Sequence, residues 1–327
     1  MTADKISSLT FARDTQAHEG HPERNEDTIL VDAQRGLAAV FDGVGGSEGG
    51  DVASRLGARA IRRAWRRFLQ EKQPDSSSQL FTLNDDLTIE SILCNLLQEA
   101  QEAISAEGER RVSRARKARA TLAKEETGNP ETKVEDEEQE EKKDRYPETT
   151  VAAVLLCRQA GVDGYNLGVA HVGDSRVYLL RTDQPLQRLT RDDGYFTLRV
   201  EDHTINEEDA VRIDQATEAD QLNDTEREIF NKRNGITQSL GHRIHKKNPT
   251  PTIHTAQTNV VPGDRILLCS DGIHDNLTDS EIEAILRQEA RTTAARHLVQ
   301  TAVNRSHEEC LRAKKDDMSA IVITCNH

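Results

Sequence analysis

The chain has 327 residues, of which 31% are Asp, Glu, Lys or Arg, and it carries a formal charge of -14. A field of that sign repels phosphate backbones, so nucleic acid is excluded as the main partner. No apolar run approaches the roughly 18 residues of a membrane span, and Met1-Thr2-Ala3-Asp4-Lys5 lacks the basic-then-apolar plan of a secretion signal, so no membrane contact and a cytoplasmic location are expected.

From the N-terminus, Ile6 to Phe11 reads as extended, and a polar loop Glu19 to Asp27 follows. Thr28 to Val31 and Leu37 to Phe41 then read as a hairpin-like pair. The second of these runs delivers Asp42 into the glycine-rich turn Gly43-Val44-Gly45-Gly46, where the backbone can come close to an ion. A surface acid in a tight turn and a site residue both fit Asp42 at this point. From Val52 to Phe68 the apolar positions recur at helical spacing, with Arg55, Arg59, Arg62, Arg63, Arg66 and Arg67 forming a solvated face. A second helix carries Ile89, Ile92, Leu93, Leu96, Leu97, Ala100 and Ile104 on one stripe.

Between residues 107 and 148 a basic run gives way to an acidic one with hardly any apolar side chains. Such sequence forms solvated helix or no fixed structure, so it reads as a charged insertion between two structured halves. Strands return at Thr149 to Cys157, Tyr165 to Val172 and Val177 to Arg181, which fit an antiparallel meander with Gly173-Asp174-Ser175 as a hairpin turn. Residues 191 to 235 read as short helices or a mobile excursion. Ile253 to Val261 and Arg265 to Ser270 are strand-like around Pro262-Gly263-Asp264. Thr278 and Glu281 form a capping-box pattern ahead of a helix, a second helix carries Ala294, Leu298 and Ala302, and Met318 to Thr324 closes the chain as a strand. Five cysteines without C-x-x-C spacing read as reduced residues, mostly in apolar runs. The order of elements argues for an α+β fold, with sheets in the middle and helices outside.

Acidic residues recur at strand ends: Asp27, Asp42, Asp174, Asp271, Asp275 and Asp316. Bringing them together is severely unfavourable without a cation. Carboxylate and carbonyl donors suit Mg2+ or Mn2+, whereas zinc would want His or Cys at short spacing. The glycine turn lacks the Lys of a phosphate-binding loop and carries Glu48 where the third glycine of a dinucleotide fingerprint should fall, so nucleotide binding is a poor alternative.

Asn25-Glu26-Asp27, Phe41-Asp42-Gly43-Val44-Gly45-Gly46, Thr149-Thr150, His171-Val172-Gly173-Asp174-Ser175-Arg176, Leu189-Thr190-Arg191-Asp192, Ile236 to Gly241, Ser270-Asp271-Gly272 and Asp316-Asp317-Met318-Ser319 stand in one order along the chain. That ordered set resembles the metal-dependent (PPM, type-2C) serine/threonine protein phosphatases, and most closely their bacterial-type members. The resemblance implies one domain over residues 1–327, a layered α/β/β/α sandwich of two antiparallel sheets flanked by helix pairs, with 191–235 as a flap beside the site. It implies direct attack of a metal-activated water on phosphoserine or phosphothreonine monoesters. Asp42 would bridge two ions, the Gly43 carbonyl would bind one, and Asp271 and Asp316 would complete the other. Glu26 and Asp27 would hold metal-bound waters, and Asp174 and Asp275 with Asp271 match positions that hold a third ion in bacterial-type members. The expected partner is a phosphoprotein made by a serine/threonine kinase, and a monomer is expected.

The sequence departs from the family pattern in places. The family usually has Arg five positions before the Asp27 equivalent to clamp phosphate, and here that residue is Pro22, leaving Arg24 or His21 to substitute. Val44 stands where some members carry a proposed general acid, Asp193 where His is frequent and Asp317 where Asn is usual. The displaced Arg and the charged insertion motivate an alternative, a catalytically silent phosphatase-like binding or regulatory module.

Overall fold

The computed structural model describes residues 9–45, 49–72, 80–83, 87–126, 146–158, 164–241 and 250–326. Among the described residues ten strands form two five-stranded antiparallel sheets. The first sheet has the order β1 (Leu9–Gln16), β10 (Met318–Cys325), β9 (Arg265–Cys269), β6 (Arg176–Leu180) and β7 (Gln187–Arg188). The second has the order β2 (Thr28–Asp32), β3 (Leu37–Gly43), β4 (Thr149–Cys157), β5 (Tyr165–Val172) and β8 (His254–Val260). Helices α1 (Gly50–Lys72) and α2 (Ile89–Glu126) cover the second sheet, and α7 (Asp279–Gln288) and α8 (Ala294–Ser306) cover the first.

The side-chain alternation of the strands explains why their sequences are apolar throughout. In β3, Ala38 and Val40 face the interior between the sheets, together with Val154, Leu179, Leu268 and Ile321. Leu37, Ala39 and Phe41 point the other way, onto Ile61, Trp65, Leu93 and Leu97 of the helix pair. A strand buried on both faces has no polar face to show, so a continuous apolar run replaces the usual alternation. Across the sandwich, Ile282, Leu286, Leu298 and Ala302 close the second outer layer on Tyr178, Leu267 and Val322. The Thr278 cap is made as its sequence implies, with the Thr278 side chain accepting from the Glu281 amide and Glu281 reaching back. All six arginines of α1 are exposed.

Three expectations need correction. Strand β1 runs past Phe11 to Gln16, because its register along β10 continues to Gln16 opposite Met318; Ile6 to Ser8 lie outside the described residues. The 107–148 block does not start as a separate segment: its basic half continues α2 to Glu126 as the solvated helix that its composition allows, since Arg, Lys, Ala and Glu are strong helix formers that need no core; residues 127–145 lie outside the described residues. The third correction is topological. Gly173-Asp174-Ser175 is not a hairpin turn, because β5 pairs with β4 and β8 whereas β6 pairs with β9 and β7. That turn carries the chain from one sheet to the other. Periodicity is identical for a strand that pairs with its predecessor and one that leaves it, so the sequence pattern could not separate the two.

Between Tyr195 and Asn231 lie three short helices, α3 (Tyr195–Glu201), α4 (Glu207–Asp214) and α5 (Asp224–Asn231), with their own small core of Ile213, Ala216, Leu222 and Phe230. This excursion is tied down by buried arginines. Arg312 donates to the carbonyls of Ala216 and His274, at 3.3 and 2.6 Å, and also contacts the Asp214 carbonyl. Among the cysteines, Cys157, Cys269 and Cys325 are buried and Cys94 is partly so, whereas Cys310 is exposed; all five are free thiols.

Candidate metal centre

The register gathers the strand-end acids at one end of the sandwich. Phe41 lies opposite Thr28 and Val151, and Val151 opposite Val172, so the end of β3 meets the start of β2 and β4 and the end of β5. In the other sheet Cys269 lies opposite Ala320 and Arg176, which places the end of β9 beside the starts of β10 and β6. Asp42, Asp27, Asp174, Asp271 and Asp316 therefore share one rim. The short helix α6 (Asp271–His274) carries the chain from Asp271 to Asp275.

Two glycines make this crowding sterically feasible. A Cβ on Gly43 would lie 2.4 Å from the Gly50 carbonyl carbon and 2.8 Å from the Glu26 carbonyl oxygen. One on Gly272 would lie 2.1 Å from the Asp317 carbonyl oxygen. The β3–α1 turn is further fixed by Thr149, whose hydroxyl donates to the Asp42 carbonyl at 2.7 Å.

The electrostatics show a centre short of positive charge. Burial pushes the Asp42 carboxyl well above the usual range, and the neighbouring Asp271, Asp27, Asp316 and Asp174 push it further. Asp174 is raised by burial and then by Asp271 and Asp192. Burial likewise raises Asp27, although its Oδ2 accepts a hydrogen bond from Ser270 at 2.7 Å. Asp271 is raised by burial, with Lys314 opposing the shift. The Oδ1 atoms of Asp27 and Asp271 are buried with no hydrogen-bond partner. Leaving such atoms unpaired costs free energy that a cation would recover.

Lys314 contributes a cation that the sequence pattern does not reveal. Its Nζ contacts Asp271 Oδ2 directly, Asp275 Oδ2 at 2.8 Å and Asp316 Oδ2 at 3.0 Å. Among the described residues no three His, Cys, Asp or Glu side chains form a ready-made ion cage. Carboxylates around an ammonium settle at hydrogen-bond distances of about 2.7–2.9 Å, longer than the roughly 2.0–2.1 Å of a Mg2+ ligand bond. The donor set itself is all oxygen, and its unpaired, mutually repelling carboxylates fit a hard divalent ion.

The predicted rim residues fall beside this centre. Glu26 is raised by burial and its Oε1 accepts from Arg24 at 2.5 Å. Arg24 is 49% exposed and also faces Asp51 at 3.7 Å. His21 donates from Nδ1 to the Arg24 carbonyl at 2.7 Å and lies 3.8 Å from Asp317. His274, flanked by Asp271 and Asp275 in sequence, is buried, holds the Asp174 carbonyl at 3.1 Å, and has its pKa lowered to about 4 by burial and then by Arg176. It is therefore neutral near pH 7. His171 stacks on His254 with ring centroids 5.1 Å apart, as a structural residue does.

Several supporting residues escaped the sequence reading. Asp317 accepts from the amides of His18 and Glu26, both at 2.6 Å, and so pins the loop that carries Glu26 and Asp27. Asp193 accepts from the Gly173 amide at 2.9 Å and from Gln238 and His254, which fixes the crossover bearing Asp174. Arg176 is buried against Asp192 at 2.7 Å and Asp214 at 3.2 Å, joining the rim to the flap. The only sequence signal for the first two was an acid in place of the family's usual Asn or His.

Fold and site define a four-layered sandwich with an oxygen-only acidic centre at one end. The chain belongs to the protein phosphatase 2C family, whose model matches residues 15–312. Over 280 residues it is 27% identical to the serine/threonine protein phosphatase PstP of Mycobacterium tuberculosis, a match covering 85% of this chain and 39% of that protein. The chain thus spans less than half the length of that relative. It is 24% identical over 280 residues to the serine/threonine phosphatase Stp of Listeria innocua, covering 85% of this chain and 82% of the relative. Among solved structures, the crystal structure of M. tuberculosis PstP superposes with a TM-score of 0.61 at 23% identity, covering 98% of this chain and 100% of that one. A structure of the PstP catalytic domain in complex with 2 manganese ions gives a TM-score of 0.58 at 23% identity, with the same coverage. These superpositions establish the shared fold. Among the described residues no helix is long and apolar enough to cross a membrane.

Proposed function

We propose that the chain is a Mg2+- or Mn2+-dependent protein phosphatase that hydrolyses phosphoserine and phosphothreonine monoesters by direct attack of water. The observation that carries this reading is the convergence of Asp27, Asp42, Asp174 and Asp271 from both sheets at one end of the sandwich, with Asp27 Oδ1 and Asp271 Oδ1 buried and unpaired. Two divalent ions would answer that charge deficit, with Asp42 bridging, the Gly43 carbonyl on one ion, and Asp271 and Asp316 on the other. When bound, such ions supply Lewis acidity at the phosphoryl oxygens and lower the pKa of water.

The remaining work belongs to the chain. Glu26 and Asp27 orient water, and Ser270 fixes the Asp27 carboxyl from behind. Arg24, exposed and paired with Glu26 and Asp51, stands at the rim as the cation that receives the substrate phosphate, with His21 buttressing its backbone. A surface pairing of this kind is weak, so it is readily exchanged for a phosphate. Neither Val44 nor neutral His274 donates the proton to the leaving alkoxide, which leaves that role to water. The flap packed through Arg176 and Arg312 shapes access for a phosphoprotein. A silent module is disfavoured because every one of these carboxylates is present.

The test is phosphate release from phosphothreonine and phosphoserine peptides with and without Mn2+. Activity is expected only with metal, and Asp271→Ala should lower it by about 10²–10³-fold or more, the scale of several kcal/mol of lost charge stabilisation. Full activity after chelation, or in the variant, would contradict the proposal.

A further inference from the structure

We propose that Lys314 is a tethered cation that takes the Asp271–Asp275 side of the centre from a third divalent ion, so that this centre is built for two ions and one ammonium. The inference rests on the metal-dependent phosphatase reading. Three features of the site support it.

The ammonium has three N–H donors, and three carboxylates meet it: Asp271, Asp275 and Asp316. Its hydrogen-bonding capacity is therefore filled by the very acids expected to hold metal, with the side chain only 16% exposed. Asp275 is further committed, facing Arg233 at 3.6 Å and His274 at 3.7 Å. With Lys314 and Arg233 as cations beside it and neutral His274 packed against it, this carboxylate has little left for a divalent ion.

The position of Lys314 is fixed by its backbone. Its amide donates to Asn276 Oδ1 at 3.0 Å, and its carbonyl accepts from Asn276 Nδ2 at 2.9 Å. Asn276 is fully buried and also donates to the Gly272 carbonyl at 2.8 Å. The segment that presents the ammonium is thus bolted to the same turn that presents Asp271 and Asp275.

The two cation types can coexist because Asp271 divides its oxygens. Oδ2 takes the ammonium, whereas Oδ1 is buried with no hydrogen-bond partner and remains free for an ion. A third ion on the Asp275 side would have to lie against the ammonium or expel it, and like charges in a buried site repel strongly.

The experiment counts Mn2+ bound to the metal-stripped full chain, by calorimetric titration and by metal analysis after gel filtration. The wild type and Lys314→Arg should hold two ions at saturation. Lys314→Met, which keeps the stem and removes the charge, should hold three, and the third should be lost again in Lys314→Met/Asp275→Asn. Three ions in a wild type that releases phosphate, or two in a Lys314→Met variant with native circular dichroism, overturn this proposal alone. Should Lys314→Met fail to fold, the wild-type count decides, two supporting and three refuting. No bound Mn2+ together with no phosphate release overturns the phosphatase reading and this proposal with it.

Discussion

Replacing Asp42 with Asn should stabilise the metal-free protein while destroying its response to metal. Asp42 is opposed by Asp271, Asp27, Asp316 and Asp174, whereas Asp271 has Lys314 to offset the acids around it. Its folded-state pKa lies above the unfolded value, so its ionisation weakens the fold progressively as pH rises through and beyond the ordinary carboxylate range. At pH 7 the destabilisation is at least that of an unpaired buried polar group, about 1–3 kcal/mol. An isosteric amide removes the charge and keeps the volume. At about 2 °C per kcal/mol for a chain of this size, Tm in chelator should rise by about 2–6 °C. Saturating metal at 100 times its dissociation constant adds about 2.7 kcal/mol to a protein that binds it, so wild-type Tm should climb when Mn2+ is added and that of Asp42→Asn should hardly move. Calorimetry with and without chelator reads both. A variant less stable than wild type in chelator, or one that keeps the full Mn2+ shift, would refute the reasoning.

Gly272→Ala should destabilise by about 1–3 kcal/mol or more, because its methyl would lie 2.1 Å from the Asp317 carbonyl oxygen at the base of the site; urea titration measures it. Arg176→Gln should cost about 3–5 kcal/mol by leaving Asp214 buried without its ion-pair partner and Asp192 with Arg188 alone. The same pair sets an acid limit. Arg176 and Arg188 outweigh burial and hold Asp192 at about 2, below its unfolded value near 3.9. Its contribution is therefore complete above about pH 4 and is lost as pH falls toward about 2, and Arg176→Gln, which leaves only Arg188 beside Asp192, should shrink that component of a stability-versus-pH curve.

Much of the fold could be read from the chain because burial on both faces leaves an unmistakable signal. Strands Thr149–Cys157 and Tyr165–Val172 have the bounds their sequences imply, and the Thr278 cap marks α7 to the residue. The carboxylates were legible as a set because each follows or precedes such a strand, and antiparallel register brings alternate ends together. Pairing partners were not legible, which is why the Asp174 turn read as a hairpin and not as a crossover. Lys314 was hidden for a different reason. A lysine beside Lys315 and two acids looks like ordinary solvated charge, and only the clamp on Asn276 turns it inward. The helical run to Glu126 was obscured by its polarity, since a helix without an apolar stripe has no period to detect.

The most direct test of the metal-dependent phosphatase account is the initial rate of phosphate release from a phosphothreonine peptide by the chelator-stripped chain as Mn2+ is added back, with Asp42→Ala in parallel. The account predicts no release before metal, a saturable rise with Mn2+, and no rise in the variant. Release that needs no metal, or an Asp42→Ala curve that matches the wild type, would contradict it.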